Sequence, residues 1–341
     1  MYNIAILGLG TIGGGVADVV EQNQAEIQKV LGEEVCVKYI LDIREFPNVK
    51  NLVNDINIIV NDPEIKVICE TMGGKKPAYE YTKLALEHGI SVCSSNKELV
   101  DAHGCELSEI AAANNCSYLF EASVGGGIPL LRTLREACAH EKILNITGIL
   151  NGTCNYILTK MKTGSDFQSA LKGAQENGFA EKNPAADVEG HDTARKIAIL
   201  ASLVSGKKFS YEQVQCNGIT KITTDDIAYA EKNHMSIKLL GAFNRENSLV
   251  VVNPFFVPST HPLYNVNDVF NGVLIHGNML GDVMFYGKGA GKLPTASAVI
   301  SDVIECLKNC GRNIKNGLEN LQPAKAVSIR LENISELDEL N

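Results

Sequence analysis

The chain has 341 residues, of which 45% are hydrophobic and 21% charged, the composition of a globular protein of about two domains and not of a disordered chain. Lys and Arg total 31 against 40 Asp and Glu, a formal net charge of −9, which argues against a nucleic-acid partner while leaving room for a small anion held by local groups. No apolar run reaches the roughly 18 residues of a membrane-spanning helix, the start MYNIAILGLG has no basic leader region, and the ten cysteines contain no CxxC pair, so the expectation is a cytoplasmic protein with reduced thiols and no membrane attachment.

Short β-branched runs alternate with helical patterns in the first part. Strands are predicted over Tyr2–Leu7, Val35–Asp42, Lys66–Glu70, Ile90–Ser94 and Ser117–Ala122, and helices over Gly13–Leu31, Pro77–His88, Asn96–Asn114 and Pro129–Ala139. Such alternation implies a parallel sheet covered on both faces. After about residue 140 the pattern changes. An apolar strand, Ile143–Leu150, leads into a helix-rich stretch over residues 155–233. Strands are then predicted over Ser236–Asn244 and Leu249–Val257, joined by RENS, and over Asn271–His276 and Asp282–Tyr286, before a helix over Pro294–Leu307. Strands and helices in blocks imply an α+β second domain. The acidic tail ISELDEL reads as a loosely attached helix.

The strand IAIL runs into Gly8-Leu9-Gly10-Thr11-Ile12-Gly13. This is GxGxxG between a strand and a helix, the context a dinucleotide fingerprint requires. Gly8 allows the tight turn, Gly10 lets backbone approach a pyrophosphate, and Gly13 lets helix and strand pack closely. The helix N-terminus then offers N–H groups to the phosphates. Asp42 ends the second strand and suits a ribose 2′-OH, as in NAD, whereas Arg44 suits a 2′-phosphate, as in NADP. Asp42 stands 29 residues beyond Gly13, further than the usual ~20, so the choice stays open.

Lys97, in SSNK after the strand ISVC, stands at the carboxyl end of a strand, where open α/β sheets bind ligands. The segment GFAEKNPAADVEGHDTARKIAIL passes from a Pro- and Gly-bearing loop into a helix. Asp192 and Lys196 are i,i+4 on that helix and share a face. They read either as a surface ion pair or as part of a pocket for a zwitterion, in which Glu181 and Asp187 hold an ammonium and a lysine handles the proton that leaves a hydroxyl. Asp192 opposes any fall in the lysine's proton affinity, which favours Lys196 as a charged donor to a carbonyl oxygen. His191 is a candidate proton relay. Glu121-Ala-Ser-Val-Gly-Gly-Gly-Ile-Pro combines one carboxylate with a glycine run and reads as a hard-cation loop, a second phosphate loop or a flexible turn.

These stretches carry a family resemblance. GLGTIGGGV, ETMGG, SSNKELV, EASVGGGIP, ILNGTCNYIL, GFAEKNPAADVEGHDTARKIAILAS and FYGKGAGKLPTASAVISD, in that order across residues 3–310, resemble homoserine dehydrogenases. The resemblance implies an α/β fold in which a Rossmann-type NAD(P)-binding domain over residues 1–130 is joined by a returning helix near 291–312. A substrate-binding and dimerisation domain of α+β type spans 131–290, and 313–341 is a tail. It implies interconversion of L-homoserine and L-aspartate 4-semialdehyde, in threonine and methionine biosynthesis, by a homodimer. By position, Lys97 and Lys196 match the active-site lysines, with Lys196 as proton donor in the reducing direction. Glu181, Asp187 and Asp192 match the homoserine-binding acids. Gly8, Leu9, Gly10, Thr11, Ile12, Gly13, Met72, Gly73, Ser95, Lys97, Gly178 and Gly291 match cofactor contacts. Glu121 and the carbonyls of Val124, Gly126 and Ile128 match a sodium site. Two features depart from the family pattern. Asn183 stands before Pro184 where an acid is commoner, and little chain follows Gly311, so neither a C-terminal ACT domain nor threonine inhibition through one is expected. Rival readings are another two-domain dehydrogenase of the aspartate pathway and a non-catalytic NAD(P) sensor. No acylating Cys with a partner His is evident, which disfavours phosphorylating aldehyde oxidation.

Overall fold

The apolar run Tyr2–Leu7 forms β1 at the centre of a parallel sheet. It is followed by α1 (Thr11–Gln22), α2 (Gln24–Leu31), β2 (Val35–Leu41), β3 (Leu52–Val53), α3 (Ile56–Val60), β4 (Ile65–Glu70), α4 (Ala78–Glu87), β5 (Ser91–Ser94), α5 (Lys97–Ala113), β6 (Tyr118–Leu119) and α6 (Leu131–Arg135). The strand order is β3-β2-β1-β4-β5-β6, all parallel. Strand order reverses between β1 and β4, and ligands bind outside the carboxyl ends of the strands at such a point. Gly8, Met72 and Ser95 all lie at those ends.

Then come β7 (Ile143–Ile149), α7 (Gly152–Lys162), α8 (Phe167–Glu176), α9 (Ala185–Val188), α10 (His191–Ser205), β8 (Lys207–Lys208), β9 (Gln215–Cys216), α11 (Thr224–Lys232), β10 (Met235–Asn244), β11 (Leu249–Pro258), β12 (Phe270–Gly277) and β13 (Gly281–Lys288). They build a mixed sheet ordered β13-β12-β7-β10-β11, with β9 beside β11. β10 and β11 pair from Met235↔Pro258 to Asn244↔Leu249, so residues 245–248 form the predicted turn. The chain continues through α12 (Lys292–Lys308), β14 (Gln322–Pro323) and β15 (Ser335–Glu336).

This computed structural model describes residues 1–340 and separates into two units, Met1–Arg135 with Ala290–Leu321 and Glu136–Gly289 with the chain from Gln322 onward. In the first, Ile4, Ile6, Val67 and Cys93 of the strands pack with Val16 and Val20 of α1 and with Ala296, Val299 and Val303 of α12. The α1–α12 approach is close: a Cβ on Gly15 would lie 2.8 Å from the Lys292 carbonyl oxygen and 3.0 Å from Ala296 Cβ. In the second, Val251, Phe255 and Leu240 are fully buried. α10 comes down on the sheet at Gly241, where a Cβ would meet Thr193 Cγ2 at 3.0 Å and Ile197 Cβ at 3.2 Å. No disulfide joins any of the ten cysteines, and no helix among the described residues is long and apolar enough to cross a membrane.

Four expectations differ from what is found. The single helix over 13–31 is two, divided at Asn23, because the Gln24 side chain is tied to β2 by donating to Val35 O at 2.7 Å and accepting from Val35 N at 3.1 Å. The strand over 117–122 is only Tyr118–Leu119, since Glu121–Ser123 closes into a 3₁₀ turn. The helix over 129–139 is only Leu131–Arg135. The tail is not a loose helix: Ser335 and Glu336 add a parallel strand to β11 at Phe255 and Phe256, and Leu337–Leu340 is a 3₁₀ turn whose Leu340 is buried.

Candidate active site

In the first unit the Gly-rich turn has the geometry its glycines allow. Gly8 sits at φ +91°, a left-handed conformation that L side chains rarely adopt. A Cβ on Gly13 would lie 2.0 Å from Gly8 O and 2.8 Å from Thr71 Oγ1, whereas one on Gly10 would meet nothing within 4 Å. Gly13 is therefore demanded by the fold, while the space over Gly10 is open. Gly10 is the N-cap of α1 and no side chain caps that end, which leaves the first N–H groups to an anion. Gly14 N donates back to Gly10 O at 2.9 Å.

Asp42, buried at the end of β2, accepts from Leu9 N at 2.7 Å, from Arg44 N at 3.0 Å, from Arg44 Nε at 2.9 Å and from Arg44 Nη2 at 2.7 Å. The Arg44 guanidinium holds this carboxyl well below the usual carboxylate range. Arg44 itself keeps 58% of its side chain exposed. The two residues the sequence offered as rival cofactor determinants are thus bonded to each other.

A second carboxylate was not foreseen. Glu70, fully buried at the end of β4, accepts from Met72 N at 2.9 Å and from Ser94 Oγ at 2.5 Å. Burial pushes its carboxyl up to about 7, against the opposing hydrogen bonds from Ser94 and Met72. Asn96 caps α5 by accepting from Leu99 N at 3.1 Å and donates to Gly74 O at 2.6 Å. Glu70 and Asn96 together connect the Met72–Gly73 turn to the loop bearing Ser95 and half-buried Lys97, the first residue of α5. The signal was available: an acid closing the apolar strand KVICE has to be buried, and a buried acid needs partners.

Glu121 is nine-tenths buried or more, and its carboxylate accepts from Leu130 N at 2.6 Å, Leu131 N at 2.9 Å and Arg132 N at 2.6 Å. It thereby starts α6, whose first N–H groups would otherwise lack partners. Gly125 and Gly126 stand at φ +78° and +55°, folding the loop so that buried Val124, Gly126 and Ile128 follow one another. Asp302 of α12 accepts from Glu121 N at 2.8 Å and from Arg132 Nη2 at 3.0 Å. Burial, with Glu121 beside it, pushes the Asp302 carboxyl up to about 7. Gly291, at φ +125°, is the N-cap of α12.

In the second unit the charged residues converge. Asp192 and Lys196, in the first turns of α10, are both buried, and Lys196 Nζ donates to Asp192 Oδ2 at 2.8 Å and to Leu150 O at 2.7 Å. This is a buried pair and not the surface pair the spacing alone allowed. Asp187, in α9, is brought to the same place through Asn151, whose Nδ2 donates to Asp187 Oδ1 at 2.7 Å and to Asp192 Oδ2 at 2.9 Å. Asn151 also was not foreseen. Its signal was the Asn after the apolar strand of ILNGT, the position of a helix N-cap. Glu181 and Gly178 are exposed in the loop between α8 and α9, with Gly178 at φ +72°. The Glu181 carbonyl accepts from Gln175 Nε2 at 3.1 Å. His191 bonds Glu189 and Tyr211, each at 3.2 Å.

Residues 8–121 match the family model described as homoserine dehydrogenase, NAD binding domain, and residues 129–304 the one described as homoserine dehydrogenase. The chain is 40% identical to the homoserine dehydrogenase of Bacillus subtilis over 90% of its own length and 73% of the relative's. It is 42% identical to that of Synechocystis over 88% and 72%. Among solved structures, the homoserine dehydrogenase of Thiobacillus denitrificans matches with a TM-score of 0.86 at 37% identity, covering 90% of this chain and 73% of that one. A hyperthermophilic archaeal homoserine dehydrogenase in complex with NADPH matches with a TM-score of 0.77 at 28% identity, covering 89% and 97%.

Proposed function

This chain belongs to the homoserine dehydrogenase family, and from that premise we infer how its residues carry the NAD(P)-dependent interconversion of L-homoserine and L-aspartate 4-semialdehyde. The observation that bears most on this is the buried Asp192–Lys196 pair with Asp187 drawn beside it by Asn151. A buried ion pair is a poor stabiliser because desolvation offsets its attraction. Its placement beside a second acid, Asp187, suits instead an amino-acid ammonium and a reacting oxygen.

The nucleotide fits the first unit, where an uncapped helix end and the open space over Gly10 receive a pyrophosphate. When bound, the nicotinamide supplies the hydride in its reduced form and accepts it in its oxidised form. The chain's own residues do the rest. Glu181, Asp187 and Asp192 bind the substrate ammonium. Lys196, with two of its three N–H groups given to Leu150 O and Asp192, directs the third at the substrate's C4 oxygen. It gives a proton to that oxygen as the aldehyde is reduced and takes one as the alcohol is oxidised. Lys97, the first residue of α5, is proposed as the second active-site lysine. Leu9, Thr11, Ile12, Met72, Gly73, Ser95 and Gly291 of the first unit are proposed to contact the cofactor, and Gly178 of the second is kept as a candidate contact. His191, turned to Glu189 and Tyr211, is given no role.

For sodium we propose the carbonyls of Val124, Gly126 and Ile128. Among the described residues no backbone N–H is recorded donating to these three, and buried carbonyls favour a partner. Glu121 has both carboxylate oxygens engaged by N–H groups, which leaves it a lesser share of the cation. For the homodimer we propose that a second copy adds to the mixed sheet, whose end strand β13 carries exposed Tyr286 and lies next to exposed Met279. The units 1–130 with 291–312 and 131–290 are proposed as the cofactor-binding and substrate-binding domains. The test is absorbance at the nicotinamide band with homoserine and each of NAD and NADP, with and without sodium, on protein whose mass in solution is measured. Homoserine-dependent reduction of either cofactor is expected. Absence of turnover with both overturns the reading.

A further inference from the structure

We propose that Asn151 is a positioning residue for the reaction, a neutral bridge that fixes Asp187 and Asp192 in the geometry needed by substrate without adding a charge of its own. The proposal deepens the reading above and rests on Asp187, Asp192 and Lys196 forming the homoserine pocket.

Asn151 stands between β7 and α7, only 5% exposed. Its two polar atoms do different work. Oδ1 accepts from Cys154 N at 2.8 Å and caps α7. Nδ2 gives one N–H to Asp187 Oδ1 at 2.7 Å and the other to Asp192 Oδ2 at 2.9 Å. Two carboxylates held against a single nitrogen lie close enough to repel, and without a donor between them they would move apart. Lys196 already pairs with Asp192, and a second cation in place of Asn151 would cancel the remaining charge that a substrate ammonium needs. An amide holds them with no formal charge of its own. Asn151 and Lys196 share the same oxygen, Asp192 Oδ2, and Lys196 also donates to Leu150 O, the carbonyl preceding Asn151. The two residues of this turn therefore fix the lysine and both acids at once.

The turn is itself held from below. A Cβ on Gly152 would lie 2.7 Å from Val269 O, so α7 starts hard against the loop before β12. Asn155, one turn on, donates to Val266 O at 3.1 Å, Asp268 O at 3.0 Å and Phe270 O at 3.1 Å. It accepts from Lys238 Nζ at 3.3 Å. The Asn151 amide is thus carried on a helix end with little freedom to move, as a positioning group requires.

Asn151→Ser and Asn151→Ala separate the bridge from the cap, because serine keeps a cap oxygen but reaches neither carboxylate with two N–H groups. In both variants kcat/KM for homoserine should fall by about 100-fold, the scale of a misplacement of order 1 Å. The loss should show in both KM for homoserine and kcat, while cofactor affinity, read by nucleotide fluorescence without substrate, stays at the wild-type value. A serine variant with wild-type kcat/KM, or an equal loss of cofactor affinity, overturns the proposal. If the serine variant does not fold, Asn151→Asp, which keeps the shape and the cap, replaces it with the same expectation and the same refutation. Asp192→Asn in the same assay tests the underlying reading. If it is fully active, the pocket is wrongly assigned. If it is inactive while the serine variant is not, only the role of Asn151 fails.

Discussion

The two units gather different kinds of group. In the first, the groups around the glycine turn are mainly backbone: an uncapped helix end, a left-handed Gly8 and an open space over Gly10. Its buried acids, Asp42 and Glu70, accept from backbone N–H groups and neighbouring side chains. In the second, the groups gathered are charged side chains, Asp187, Asp192 and Lys196, with the amide of Asn151 between the two acids. A dinucleotide is long and presents phosphates to which repeated main-chain N–H groups can be matched. An amino acid is small and zwitterionic, so a few full charges have to do the same work. A backbone site should tolerate side-chain changes except where a Cβ intrudes. A charge site should fail on a single truncation.

Substitutions can break this contrast, the largest effect coming first. Lys196→Ala should lower turnover by about 10²–10³-fold, the loss of one well-placed donor to a developing oxyanion, with cofactor affinity unchanged. Near-wild-type kcat would end the claim that the second unit works by charge. Next come the glycines. Gly13→Ala forces a Cβ to within 2.0 Å of Gly8 O and should cost a few kcal/mol of stability together with cofactor binding. Gly10→Ala should leave the melting temperature within about 2 °C, a surface-scale change, yet weaken cofactor binding. Calorimetry paired with a binding titration separates the two, and a Gly10→Ala protein that binds normally would show that the backbone there is not in contact with ligand.

Arg44→Ala should weaken NADP by about tenfold while sparing NAD, on the scale of one charge-assisted hydrogen bond, about 1.5 kcal/mol. Equal effects on both cofactors would confine Arg44 to its bond with Asp42. The last effect concerns Glu70 and is read in stability, not in ligand binding. Its carboxyl is raised to about 7 in the fold, so the folded state holds this proton more tightly than the unfolded state does. The stability this provides is complete below the ordinary carboxylate range and is lost as pH rises toward about 7, on the order of 1–3 kcal/mol. Glu70→Gln, melted beside wild type at pH 5 and pH 8, should flatten that fall. An identical pH dependence in the two proteins would remove Glu70 from the account.

Much of this was legible in the chain. The order of alternating elements up to residue 140, the hairpin of β10 and β11 and the fingerprint Gly8–Gly13 are local signals, written in periodicity and in glycines at set spacings. The i,i+4 spacing of Asp192 and Lys196 placed them on one helical face. It did not say whether that face was wet or buried, since spacing is the same in both cases. Asn23, which divides one long helical pattern, was silent until the tie of Gln24 to Val35 appeared.

By itself the sequence determined the fold class, the glycine turn, the short-range pairing of acids with lysines and the family. Each is set by residues within a few positions of one another or by motifs kept in order. Tertiary structure alone decided that Asn151 joins acids 36 and 41 residues away, that Asp42 is taken up by Arg44 and Leu9, that Glu121 uses its carboxylate to start α6, and that the tail adds a strand to β11. A side-chain hydrogen bond, whether it reaches two residues or forty, leaves no periodic trace along the chain. It is chosen by which partners remain once the sheets and helices have packed and every buried polar group has to be satisfied.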